Sequence, residues 1–236
     1  MSVIKVKHPE LFDVIDENGN ITSGGDQHWF PKEGFIPPGA CGATTASNIL
    51  AYLLRSRPEL YALAQEADLG GIALPLMSTP VLEENDKTQD VNAAPSTKDG
   101  YLEFMKRVYR FLYPRVGGLL ACHFLEGIAE LANEHRIPVS AECLRVPIAQ
   151  TKRPSFAKAA EFICSSLDAN IPVAFLILSG GGVAGLDTWH WVTILAIDDE
   201  LKSVEILDNT VTLWADLGIW LETSIMGGSF IRLFPG

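Results

Sequence analysis

The most informative segment of the chain is Pro38-Gly39-Ala40-Cys41-Gly42-Ala43-Thr44-Thr45-Ala46. Small residues surround a cysteine here, and apolar residues then recur at helical spacing at Ala46, Ile49, Leu50, Leu53 and Leu54. The first N–H groups of a helix lack intrahelical partners, and the positive end of its dipole favours an anion such as a thiolate. Cys41 is therefore predicted in the first turn of a helix, either as a reactive thiol or as a packed one, with Gly42 leaving room for a substrate carbonyl.

Helical and strand patterns divide the rest of the chain unevenly. Helical spacing is found over 99–113, 117–135 and 155–169, and a helix is also expected over 212–222. Strands are predicted over 3–7, 13–16, 137–143, 172–178, 189–197, 203–208 and 229–234. Helices dominate the first part and strands the last, which indicates an α+β fold with an antiparallel sheet.

The stretch over residues 70–99 is rich in glycine, proline and charge and lacks a clear period. A loop of this length without secondary structure is uncommon and is usually functional or disordered. We predict a single domain over residues 1–236, in which 70–115 forms an insertion or a flap over the rest.

Two later segments bring a histidine and an acid to neighbouring strands. The strand over 189–197 carries His190, and a turn near 199–200 makes the following strand, which ends at Asp208, its antiparallel neighbour. Cross-strand partners then have numbers that sum to about 398–400, so His190 lies opposite Asp208 or within two residues of it. The partner of the imidazole stays open between Asp208 and Asn209, because a one-residue slip in register exchanges their faces.

Composition restricts the class of protein. The chain has 236 residues, 47% hydrophobic and 20% charged, which is a globular composition. Its net charge of −11 argues against nucleic acid or an anionic membrane as a partner, because both need a basic surface. No apolar run is long enough to span a membrane, the N-terminus resembles no secretory signal, and no C-x-x-C occurs. A cytoplasmic protein with reduced thiols is expected.

Taken together, Gly39-Ala40-Cys41-Gly42-Ala43-Thr44, the strand with His190, and Asp208 resemble the papain-like cysteine peptidases. The resemblance is greatest to the bacterial branch that includes double-glycine leader (bacteriocin-processing) peptidases and their stand-alone relatives. It covers about residues 27–54 and 170–234. The fold it implies is a papain-like α+β domain, in which an N-terminal helical part with the Cys41 helix packs on a C-terminal antiparallel sheet.

The resemblance also implies a catalytic triad of Cys41, His190 and Asp208, which cleaves a peptide or amide bond through a thioester. Leader peptidases carry a glutamine a few residues before the cysteine. Here the nearest upstream glutamine is Gln27, fourteen positions back, so a long loop has to bring it to the oxyanion. The predicted oxyanion and substrate contacts are Gln27, Gly42, Trp189 and Asn209.

Three functions stay open on the sequence. The first is a hydrolase of peptide or amide bonds, and the second is an acyltransferase or transglutaminase-like enzyme that passes the thioester to an amine or thiol. The third is a binding module with a papain-like shell and no turnover. No cofactor and no metal is expected, since Cys122-His123 and His135 are spaced too widely for a metal motif. The substrate and the oligomeric state are not encoded in any pattern we find.

Overall fold

The computed structural model describes residues 3–30, 36–60, 95–112 and 118–236. Most of the predicted flap over 70–99 lies outside these residues, so the single domain with an insertion over 70–115 stays a prediction. In the described residues the α-helices are α1 (Ala40–Ser56), α2 (Lys98–Phe111), α3 (Ala121–Glu134), α4 (Phe156–Asp168) and α5 (Leu217–Thr223). The strands are β1 (Val3–Lys5), β2 (Asp13–Ile15), β3 (Ile21–Ser23), β4 (Ser96–Thr97), β5 (Val139–Val146), β6 (Val173–Ile177), β7 (His190–Asp198), β8 (Ser203–Asp208), β9 (Val211–Asp216) and β10 (Gly228–Pro235).

Seven strands form one antiparallel sheet in the order β5-β10-β6-β7-β8-β9, and β1 also pairs with β7. β1 pairs with one end of β7, where Val3 lies opposite Asp198, and β6 pairs with the other end, where Ile177 lies opposite His190. The two strands therefore follow each other along the same edge of β7. Strands β2, β3 and β4 make a separate small sheet. This arrangement confirms the α+β class and the antiparallel sheet.

Helices cover the sheet on both faces. Neighbouring residues of a strand point to opposite faces, and on β7 Trp191 packs in one core cluster while Val192 packs in the other. The first cluster joins the sheet to α1, α2 and α3, and the second joins it to α4 and α5. The predicted packing of the Cys41 helix on the sheet is found, because α1 contacts β7 and β6.

One prediction about secondary structure is wrong in part. The predicted helix over 212–222 is strand β9 in its first half, and α5 begins only at Leu217, where the Asp216 carboxylate accepts a hydrogen bond from the Ile219 N–H and caps the helix. The sequence of β9 does not show a clear alternation of apolar and polar residues, because β9 is an edge strand and apolar side chains such as Trp214 stay exposed. The predicted strand over 189–197 is confirmed as β7, His190–Asp198.

Candidate active site

The Cys41 thiol lies in the first turn of α1, which begins at Ala40. Gly39, the residue before the helix, has a φ of 75°, a left-handed conformation that glycine adopts at little cost. The Tyr109 hydroxyl of α2 donates to the Pro38 carbonyl at 3.0 Å and ties down the loop ahead of the helix. Cys41 is partly exposed, and all four cysteines are free thiols. The sulfur therefore stands at the positive end of a helix, within reach of solvent.

His190 and Asp208 lie on adjacent strands and contact each other. Nε2 of His190 is 2.7 Å from Oδ1 of Asp208, and the two side chains are only 8% and 17% exposed. The strand pairing shifts at a β-bulge within β7, beyond which Thr193 faces Leu207. The imidazole of His190 therefore contacts Asp208 diagonally across the two strands. This agrees with the prediction that His190 lies within two residues of the position opposite Asp208. Of the two alternatives left open by the sequence, Asp208 is the residue bonded to the ring.

The electrostatics of the site centre on the imidazole. Burial alone would lower the pKa of His190, but the hydrogen bonds and negative charges of Asp208 and Cys41 together raise that pKa to about 10. Because Nε2 faces Asp208, Nδ1 is the ring nitrogen left for the Cys41 sulfur. The ring is thus held in its cationic form at neutral pH, between a carboxylate and a thiol.

Asn209 connects this pair to the loop that carries Gln27. Its Nδ2 donates to Oδ1 of Asp208 at 2.8 Å, and its Oδ1 accepts from the Gln27 backbone N–H at 3.1 Å. Asn209 and Thr210 have φ values of 45° and 68°, which form a tight two-residue hairpin between β8 and β9. The structure therefore brings the backbone of Gln27 to the site, as the long loop in the sequence requires.

The two other predicted contacts are Gly42 and Trp189. A Cβ added to Gly42 would overlap the Leu119 side chain and lie 3.2 Å from Cδ1 of Trp191. The space that a side chain at position 42 would take is thus filled by the core, and the substrate contact of Gly42 stays a prediction. Trp189 lies outside the strand, with a φ of 59°, and is 50% exposed. It stands directly before His190 on the surface and is free to contact another molecule.

A polar face of α1 continues from Cys41 along the crevice beside Asp208, and the sequence analysis missed it. The missed signal was the helical spacing of polar residues after the cysteine, which places Asn48 two turns further on. Asn48 is 2% exposed, and its Oδ1 accepts from the Gly25 N–H at 2.9 Å and from the Tyr101 hydroxyl at 2.8 Å. This buried amide fixes the start of the Gln27 loop against α1 and α2. The crevice is lined by Cys41, Thr44, Thr45, Asn48, Trp191, Leu207, Asp208 and Asn209.

Asp187 also belongs to this neighbourhood, and no sequence pattern singled it out. Within the described ranges, Asp187, His190 and Asp208 form a group that could hold a metal ion, since their ligand atoms lie within 4.8 Å of one another. In the structure His190 and Asp208 bond directly to each other, whereas the Asp187 side chain is exposed.

No helix within the described ranges combines the length and the apolar character that crossing a bilayer requires.

Comparison with known proteins gives matches among solved structures. No family model matches the chain, and no curated protein sequence matches it. One solved structure that matches is the peptidase domain of Streptococcus ComA, a bi-functional ABC transporter involved in a quorum-sensing pathway. The two chains are 11% identical, and the match covers 56% of this chain and 78% of the other at a TM-score of 0.34.

Proposed function

We propose that this protein is a cysteine-dependent hydrolase of the papain-like class, which cleaves a peptide or amide bond with Cys41, His190 and Asp208. The observation that carries the proposal is the His190 ring, which lies 2.7 Å from Asp208 through Nε2 and also interacts with Cys41. A nucleophile, a base and a group that orients the base are the three parts of nucleophilic catalysis by a triad. The sequence resemblance to papain-like peptidases points to the same class.

The raised pKa of His190 defines the resting state of the proposed reaction. The cationic ring places a positive charge beside the Cys41 sulfur, and the thiolate is the nucleophilic form of a thiol. The thiolate attacks the carbonyl carbon, and the carbonyl electron pair moves to oxygen. When the tetrahedral species collapses, the C–N bond breaks, His190 gives its proton to the leaving amine, and a thioester remains on Cys41.

Water completes the cycle. His190, now neutral, takes a proton from the water molecule that attacks the thioester carbonyl. The second tetrahedral species expels the Cys41 thiolate and releases a carboxylic acid, while the ring is again protonated. Asp208 keeps the ring oriented and its cation stabilised through both steps.

The oxyanion of both tetrahedral species needs hydrogen-bond donors at the helix start. We assign the backbone N–H of Cys41 as one donor, because it belongs to the first turn of α1. Gln27 is the proposed second donor. Two hydrogen bonds anchor the loop of Gln27 and support this role. The Gln27 backbone N–H donates to Asn209, and the Gly25 backbone N–H donates to Asn48.

Alkylation with iodoacetamide at pH 7, followed by peptide mass spectrometry, tests the proposal. Cys122 is an internal control because it is more exposed than Cys41, so exposure alone predicts the opposite order of labelling. We expect Cys41 to react at least about tenfold faster than Cys122, and His190→Gln to remove that advantage. Labelling of Cys41 at or below the rate of Cys122 in the wild-type protein would exclude an activated thiol.

The fate of the thioester separates hydrolysis from transfer. A pool of amide and peptide substrates, quenched in acid, should leave an acyl adduct on Cys41 that intact-mass analysis detects. We expect water alone to discharge it, with the free acid as the product. An adduct that persists in water and leaves only when an amine is added would identify an acyltransferase instead.

A further inference from the structure

Asp187 lies close to the His190 ring, and Trp189 is the exposed residue that directly precedes His190 in the chain. A carboxylate oxygen of Asp187 lies within 4.8 Å of the ligand atoms of His190 and Asp208, and the Asp187 side chain is exposed. Within the described part of the chain it makes no hydrogen bond or ion pair, whereas the Asp208 carboxylate is engaged by both His190 and Asn209. Asp187 is therefore a negative charge at the site that the proposed chemistry does not use.

The position of Asp187 is fixed by contacts on either side of it. A Cβ at Gly180 would overlap the Leu186 carbonyl oxygen, so the two backbones are in close contact. The Gly180 N–H also donates to the Thr188 hydroxyl at 3.5 Å. Farther along the loop, the Gly182 N–H donates to the Thr223 hydroxyl of α5 at 2.8 Å. The carboxylate is thus presented from an anchored loop at the mouth of the site.

Trp189, two residues after Asp187, is an exposed aromatic residue of the same segment. Its indole is half exposed, and its left-handed φ of 59° is a strained conformation for a bulky residue. A carboxylate and an exposed indole are the two groups that bind organic cations, the first through charge and the second through cation–π attraction. The net charge of −11 favours the approach of a cationic partner further.

We infer that Asp187 and Trp189 recognise a positively charged group of the substrate, an ammonium or a guanidinium, next to the bond that Cys41 attacks. This inference rests on the proposed function and adds the substrate class to it. An organic cation is favoured over a metal ion because a metal would have to displace the 2.7 Å bond between His190 and Asp208. An organic cation needs only the carboxylate and indole that the site leaves unused.

Charged thiol reagents test the inference without a known substrate. Methanethiosulfonates that carry a trimethylammonium-ethyl, a hydroxyethyl or a sulfonatoethyl group differ mainly in charge. In each case the Cys41 thiolate attacks the thio sulfur, a mixed disulfide forms, and methanesulfinate leaves. The quantity measured is the rate with the cationic reagent divided by the rate with the anionic one. We expect this ratio to be about tenfold higher at Cys41 than at Cys122, and to shrink in high salt.

Variants assign that ratio to the two residues. Asp187→Asn should bring the cationic-to-anionic rate ratio at Cys41 close to the same ratio at Cys122. Trp189→Leu should lower the ratio at Cys41 about two- to fivefold. Glu161→Gln, which removes an exposed charge on α4, is the matched control and should leave the ratio unchanged. A ratio that Asp187→Asn does not alter overturns the inference, while selective reaction of Cys41 with the neutral reagent would still support the hydrolase.

A zinc titration checks the metal alternative with the same readout. We expect micromolar zinc to leave the hydroxyethyl reaction of Cys41 equally fast in the wild type and in Asp187→Asn. Protection of Cys41 by zinc that Asp187→Asn abolishes would overturn the inference in favour of a metal site. If Cys41 shows no advantage over Cys122 with any reagent, the proposed function itself fails, which is a different result from loss of charge preference alone.

Discussion

The Gln27 backbone N–H donates to Oδ1 of Asn209 at 3.1 Å, although the two residues are 182 positions apart. The same amide donates through Nδ2 to Asp208, the acid that holds His190. One side chain thus joins the loop of the proposed oxyanion donor to the acid of the proposed triad. The two halves of the site are therefore coupled, and a change at either end of the amide should be felt at the other.

Asn209→Gly tests this coupling without adding backbone strain. Glycine accepts the φ of 45° at position 209 but removes both hydrogen bonds of the amide. We expect the rate of Cys41 alkylation at pH 7 to fall about threefold to tenfold, because each bond contributes about 0.5–1.5 kcal/mol. Iodoacetamide kinetics measure this directly.

Thr210→Gly is the control in the same turn. Thr210 is β-branched and has a φ of 68°, so glycine relieves strain there and should raise the free energy of unfolding by about 1 kcal/mol. Cys41 reactivity should stay at the wild-type level. If both variants slow alkylation equally, the turn as a whole matters and the amide bonds do not.

Asp208→Asn should disable the imidazole while keeping the shape of the side chain. The carboxylate is one of the groups that raise the pKa of His190, so its loss lets burial bring that pKa down. We expect the alkylation rate of Cys41 at pH 7 to drop by about tenfold or more, because a ring whose pKa has fallen about one unit below the pH keeps its proton only about a tenth of the time. Asp199→Asn makes the same charge change at the other end of the hairpin and should behave as wild type.

The raised pKa of His190 predicts a pH dependence of stability. A folded-state pKa of about 10 exceeds the ordinary value of 6.5, so the proton stabilises the fold. That contribution is complete below pH 6.5, diminishes above it, and is lost as pH rises through about 10. Urea unfolding of wild type and His190→Gln should show a stability advantage of a few kcal/mol at pH 6 that narrows steadily towards pH 10. A constant difference over this range would contradict a cationic ring.

Gly42→Ala should destabilise the helix start through Leu119. The added methyl overlaps that side chain, which is 5% exposed and has little room to move. We expect a loss of about 1–3 kcal/mol in the free energy of unfolding. In the double variant Gly42→Ala/Leu119→Ala the added methyl has space. The double variant should therefore lose less unfolding free energy than the two single variants lose in sum. Strict additivity would mean that the two residues do not press on each other.

Local patterns predicted the parts of the site that depend on nearby sequence. The hairpin of β7 and β8 could be derived from alternation and turn spacing, and it placed His190 near Asp208. The start of α1 at Cys41 could be derived from small residues followed by helical spacing. Both features depend on contacts within a short stretch of chain, where period and turn chemistry are informative.

The remaining parts depend on contacts that no local pattern carries. The β-bulge in β7 shifts the register by one residue, so the choice between Asp208 and Asn209 required coordinates. Leu119 fills the space beside Gly42 from a segment far along the chain. The polar face of α1 could have been found from the spacing of its residues. The hydrogen-bond partners of Asn48, Gly25 and Tyr101, could not be found in this way.

The place of β10 in the sheet has a consequence for synthesis. Gly228–Pro235 lies between β5 and β6, so neither of those strands has its full set of neighbours until residue 235 has left the ribosome. A nascent chain that already carries Cys41 and His190 therefore still exposes the edges of β5 and β6 that β10 later covers. Synthesis itself leaves these two edges open to pairing with other strands until translation has passed β10.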